Sequence, residues 1–205
     1  MKTLEEQLDA AGLRVFGCCE RMSAYGPDLL QNAPLLQDFT PAEADILGAS
    51  MRLIRAEPGQ VMIREGEVGD WMMLVLKGTV DVTKRIPPPE AGTMAPVAAD
   101  AAAPPAGADE APAAAASDEA GISRVAVLRR GAALGDMSML DGEPRYASCT
   151  AIEAVEAAAL GRHAVALLIR DHPAVGAKLL VNITQLMAQR LRNTSNQLVR
   201  LLQKK

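Results

Sequence analysis

The stretch LGDMSMLDGEPRYAS, Leu134 to Ser148, decides how the rest of the chain is read. A glycine and a carboxylate, Gly135 and Asp136, stand at the mouth of a short apolar run, and Arg145 follows ten residues after the glycine. Each residue type has a use at an anion site. Glycine lets the backbone come close, the amides of a starting helical turn (Asp136, Met137, Ser138) point at negative charge, and arginine offers a charge-assisted fork to phosphate oxygens. A carboxylate beside them repels bare phosphate, so Asp136 needs a donor, and a ribose hydroxyl is one. The same residues also permit a plain structural reading, in which Asp136 caps a helical turn and Arg145 pairs with a nearby acid. Context decides between the two.

Upstream, from Arg52 to Ile86, short β-rich runs are broken by Pro58-Gly59, Gly66, Gly69 and Gly78, the pattern of a strand meander with tight turns. Strands resume at SRVAVLRR (Ser123–Arg130) and at YASCTAIEAVEAAAL (Tyr146–Leu160). Between these halves, the stretch at about 87–121 is rich in Ala and Pro, holds six acids and no base, and has no aromatic residue. That composition predicts a disordered, solvated insertion in one strand connection.

The flanks read as helices. Thr3 and Glu6 have capping-box spacing, and Leu4, Leu8, Ala11, Val15, Cys18 and Met22 recur at helical intervals, predicting an amphipathic helix within an N-terminal extension, residues 1–33. Phe39–Met51 predicts a second helix with Thr40 as N-cap, Pro41 at the first position and Glu43 three residues after the cap. After a short helix that turns at Asp171 to Pro173, a long one is expected over about 173–203. On it Leu180, Thr184, Met187, Leu191, Thr194, Leu198 and Leu201 form one strip beside a second made by Leu179, Ile183 and Leu186. One strip covers the chain's own strands. The other is left for a partner helix, and a two-fold homodimer is the simplest expectation.

Composition narrows the function classes. With 49% apolar and 2% aromatic residues, the chain can build a core but not a stacking platform for single strands. The net charge of −4 becomes +2 once the acidic insertion is set aside, which leaves no footprint for a duplex. The chain has no apolar run of about 18 residues and no signal-peptide order, so a cytoplasmic protein without membrane contact is expected. Cys18, Cys19 and Cys149 form neither a disulfide framework nor metal clips. His163 and His172 have neither metal-ligand spacing nor a nucleophile partner, and the GDMSML run is no hydrolase elbow, so neither an enzyme nor a cofactor is expected.

The order of helix, glycine-punctuated strands, GDMSMLDGEPRYAS, further strands, short helix and long helix resembles the cyclic nucleotide-binding domain family, over about Leu36 to Leu202. The resemblance implies an α+β fold, a jelly-roll-like antiparallel β-roll with N-terminal helices and a long C-terminal helix, in a domain spanning 34–205. It implies a phosphate-binding cassette in Gly135, Asp136, Met137 and Ser138 together with Arg145, Tyr146 and Ala147. Asp136 stands where the family usually has glutamate, and Tyr146 where it usually has a small residue. MAQRLRNTSNQL, Met187 to Leu198, resembles the last helix of the bacterial cAMP receptor protein-like members. There a Thr–Ser pair contacts adenine from the two chains of a dimer, which implies base contact by Thr194 and Ser195; Thr194 also suits a polar seam position. The implied function is a bacterial stand-alone sensor that binds a cyclic nucleotide, cAMP before others, and acts through an unknown protein partner without contacting DNA. A ligand-free scaffold that keeps the roll and the dimer helix is the alternative.

Overall fold

The run WMMLVLK, Trp71–Lys77, is apolar on both alternations because it forms a strand with a core on each side. Met72, Leu74 and Leu76 pack against helices, while Trp71, Met73 and Val75 face the interior of a β-roll. A side-chain period of two thus divides one strand between two clusters. The computed structural model describes residues 3–86 and 121–203. The insertion expected at about 87–121 falls outside the described residues except for Gly121.

In chain order the elements are α1 (Leu4–Ala10), β1 (Arg14–Cys18), α2 (Pro27–Asn32), α3 (Pro41–Ala49), β2 (Arg52–Ala56), β3 (Val61–Ile63), β4 (Trp71–Lys77) and β5 (Val80–Arg85). There follow β6 (Ile122–Leu128), β7 (Ala133–Leu134), α4 (Asp136–Asp141), β8 (Ser148–Ala151), β9 (Val155–Gly161), α5 (Arg162–Asp171) and α6 (Pro173–Leu202). The strands form two antiparallel sheets, ordered β1-β2-β9-β4-β7 and β3-β8-β5-β6. Helices pack on the outer face of the five-stranded sheet, and its inner face and the four-stranded sheet enclose the roll. This is the α+β β-roll with a long terminal helix that the sequence predicts. With few aromatics, methionines fill the gaps: Met22, Met51, Met62, Met72, Met73 and Met139 are all buried.

The N-terminal segment differs from its expectation. Helix α1 keeps the capping box but ends at Ala10, Gly12 takes φ 74°, and Arg14–Cys18 continues as a strand paired with β2. The helical spacing of Val15 and Cys18 is coincidental. Left-handed Gly12 breaks the helix, and the unpaired edge of β2 offers the backbone of Val15 and its neighbours a ladder.

Helix α3 begins as its sequence predicts: Glu43 N donates to Thr40 Oγ1 at 3.3 Å and Thr40 N donates to the Glu43 carboxylate at 2.8 Å. Helix α6 is fastened to the N-terminal half by two polar contacts. Lys178 Nζ meets Glu43 at 2.7 Å. Buried Asn182 donates through Nδ2 to the carbonyls of Leu35 (3.0 Å) and Gln37 (2.8 Å). Beyond them Leu179, Ile183 and Leu186 are buried under the helix. Asn182→Ala leaves the carbonyl of buried Leu35 short of a donor, and should lower unfolding free energy by about 1–3 kcal/mol in urea denaturation; an unchanged midpoint would mean that this anchor carries no weight.

Candidate functional site

Three arginines from three separate elements grip the segment Ala133–Met139. Arg145 Nη1 donates to Gly135 O at 2.8 Å. Arg162, first residue of α5, donates through Nε to Met139 O (2.6 Å) and through Nη2 to Ser138 O (3.2 Å). Arg190, on α6, donates through Nη1 to both Asp136 carboxylate oxygens at 2.8 Å and through Nη2 to Ala133 O at 2.9 Å. The segment is therefore fixed from the roll, from α5 and from α6 together.

Gly135 is needed here twice. It caps α4 at φ 76°, a conformation that strains other residues. A Cβ on it would sit 2.7 Å from Arg145 Nη1 and 3.1 Å from both Ile63 Cδ1 and Trp71 O. Arg145 is placed by its own backbone: its N–H donates to Glu67 O and its carbonyl accepts from Gly66 N, both at 2.8 Å. These bonds tie it to the loop between β3 and β4.

The segment borders a cavity with about 620 Å³ of free space counting its open mouth. Ile63, Val82, Val125 and Leu128 give it apolar walls; Asp136, Arg145 and Arg190 are its charged residues. Arg145 is 4% exposed, its Nη2 has no hydrogen-bond partner among the described residues, and burial pulls the guanidinium down to about 10, so it is charged at neutral pH. Burial pushes the Cys149 thiol up to about 12, against the pull of Arg145 and Arg190, so this wall is neutral. With Asp136 and Arg190 paired, the described residues that line the cavity carry one net positive charge.

All seven predicted cassette residues, Gly135, Asp136, Met137, Ser138, Arg145, Tyr146 and Ala147, line this cavity. The ring of Tyr146 lies under Lys84 Nζ at 3.5 Å. Thr194 and Ser195 do not line it: they lie one turn beyond Arg190, where α6 has passed Leu186, its last buried residue. The plain structural reading fails at both residues: among the described residues Arg145 is bonded to no acid, and Asp136, engaged by Arg190, makes no side-chain cap. Sequence reasoning missed Arg190, Arg162 and Trp71. In MAQRLRN an arginine among polar neighbours reads as a solvated helix face, and its one signal was its place one turn before Thr194.

The architecture is that of cyclic nucleotide-binding domains, and comparison with known proteins agrees. No family model matches the chain. It is 23% identical over 175 residues to the CRP-like cAMP-activated global transcriptional regulator of Mycobacterium tuberculosis, covering 85% of this chain and 62% of that protein. It is 28% identical over 146 residues to the cAMP-dependent protein kinase regulatory subunit of Yarrowia lipolytica, covering 71% of this chain and 30% of that one. Among solved structures, a cyclic nucleotide-binding domain from Methylobacillus flagellatus superposes with TM-score 0.68 at 27% identity, over 99% of this chain and 93% of that one. In sequence and in fold the chain is thus similar to cyclic nucleotide-binding domains. It spans less than two thirds of the length of either curated relative.

The Asp136–Arg190 pair, at 2% and 13% side-chain exposure, ties α6 to the cavity. Arg190→Met should cost about 3–5 kcal/mol in denaturant unfolding, because it strands a buried carboxylate. Adding Asp136→Asn should restore most of that loss; a double variant no more stable than the single one would count against the pairing.

Proposed function

We propose that the protein is a sensor that binds a cyclic nucleotide in the roll, with cAMP preferred, and transmits occupancy through α6 to a protein partner. The observation that carries this reading is Arg145: a buried cation lining a cavity and, among the described residues, bonded to no carboxylate, with one nitrogen lacking any acceptor. Leaving such a donor unpaired is unfavourable unless a ligand completes it. The one net positive charge suits a cyclic phosphodiester, which carries one negative charge, better than a doubly charged phosphomonoester. Both curated relatives carry cAMP in their names. Asp136 keeps acceptor capacity beyond its bonds to Arg190 and can take a ribose hydroxyl.

Arg190 gives the ligand a route to the helix. A nucleotide that competes for or reorients Asp136 has different affinities for two placements of α6, and that difference is what shifts the helix. Beyond Leu186 the helix exposes Leu191 (66%) and Leu201 (63%), two residues of the strip assigned to a second copy, with Val199 (51%) beside them. A dimer through this strip brings Thr194 and Ser195 of one chain toward the other's cavity, where the pair can reach a base. The near-neutral charge outside the acidic stretch favours a protein rather than DNA as the downstream partner. The engagement of both Asp136 oxygens by Arg190 favours a second reading, a scaffold that keeps the roll without a ligand.

Thermal melting separates the two. cAMP at a hundred times its dissociation constant should add about 2.7 kcal/mol, a rise of several degrees, and Arg145→Ala should weaken binding by about 2–5 kcal/mol. No shift with cAMP, cGMP or cyclic dinucleotides would leave the scaffold reading. Sedimentation of Leu191→Glu should give monomers; a surviving dimer would move the interface off α6.

A further inference from the structure

The support of Arg145 is aromatic and steric rather than anionic. Its Cζ lies 4.4 Å from the ring centroid of Trp71, the one tryptophan of the chain, itself 4% exposed. At Gly69 a Cβ would stand 2.7 Å from Arg145 Nη2 and 3.1 Å from its Cζ and Nε. Gly69 and Trp71 line a second cavity, shared with α1, and not the one bordered by Gly135 and α4.

We propose that Trp71 and Gly69 are positioning residues that hold the Arg145 guanidinium in place for the anion. The proposal rests on reading Arg145 as the phosphate-binding residue. The chemistry distinguishes this support from an ion pair. A carboxylate partner would fix the guanidinium but cancel its charge and occupy its N–H groups. An aromatic face attracts the cation through its quadrupole, offsets part of its desolvation, and leaves the in-plane N–H donors and the full charge for a ligand. Gly69 supplies the room this stacking needs. Its backbone is not in the left-handed region, so the chain accepts alanine there, and the atoms that must yield are the far end of the Arg145 side chain.

The test compares Trp71→Phe, Trp71→Leu and Gly69→Ala with the unmodified protein by two readouts. In ligand-free protein the Nε–Hε signal of Arg145, assigned by its loss in Arg145→Lys, should be shifted by the Trp71 ring current. That shift should vanish in Trp71→Leu, persist in part in Trp71→Phe, and change in Gly69→Ala. In calorimetric titration with cAMP, Trp71→Leu and Gly69→Ala should bind about tenfold more weakly, with Trp71→Phe restoring most of the affinity. Gly69→Ala should melt within a few degrees of the unmodified protein, so its weaker binding is not loss of fold. Equal affinity in Gly69→Ala, or in a folded Trp71→Leu, overturns the proposal, as does an Arg145 signal that ignores the ring. An unmodified protein that binds neither cAMP nor cGMP overturns the sensor reading instead, and the stacking then stands or falls on the free-protein signal alone.

Discussion

A guanidinium buried without a carboxylate is the constraint around which the roll is arranged. Taking that charge out of water is unfavourable unless fixed groups replace the lost solvation. Here the replacements are one carbonyl, Gly135 O, and one aromatic face, Trp71, with the surrounding acids acting only at longer range. The glycines on either side follow from it. Gly135 and Gly69 both stand where a Cβ would meet the guanidinium at 2.7 Å. Strand β4 contributes Trp71 at its first residue and then alternates between the two cores, so the support for Arg145 is rooted in a strand buried on both faces.

The second arginine of the cavity does different work. Arg190 reaches from α6 to a carboxylate at the start of α4, so the terminal helix is tied to the cavity wall by an ion pair rather than by apolar contact. Its other anchors lie further toward its N-terminus, at Lys178 and Asn182. The helix is thus firmly seated over its first half, hinged at one buried pair, and exposed beyond it. A helix held in this way is the element through which the proposed sensor would act.

Much of this was legible in the sequence because the signals were local. The capping boxes at Thr3 and Thr40, the glycine turns, the strand runs and the extent of α6 each depend on neighbours a few residues apart. That Gly135, Asp136 and Arg145 share one cavity could be anticipated because they lie within one short segment. What was missed depends on distance. Trp71 and Arg145 are 74 positions apart in the chain, and Arg190 meets Asp136 across 54. No periodicity in the sequence pairs them. The N-terminal segment misled for a related reason: the spacing from Leu4 to Met22 suits a helix, but an open edge on β2, invisible to local pattern, recruits Arg14–Cys18 as a strand.

The most direct measurement is a crystal structure of the protein grown with cAMP. The phosphate should lie against the Arg145 guanidinium and the Gly135–Ser138 backbone, with the guanidinium still stacked on Trp71. A nucleotide seated elsewhere, or an Arg145 swung away from both ring and phosphate, would contradict the central claim.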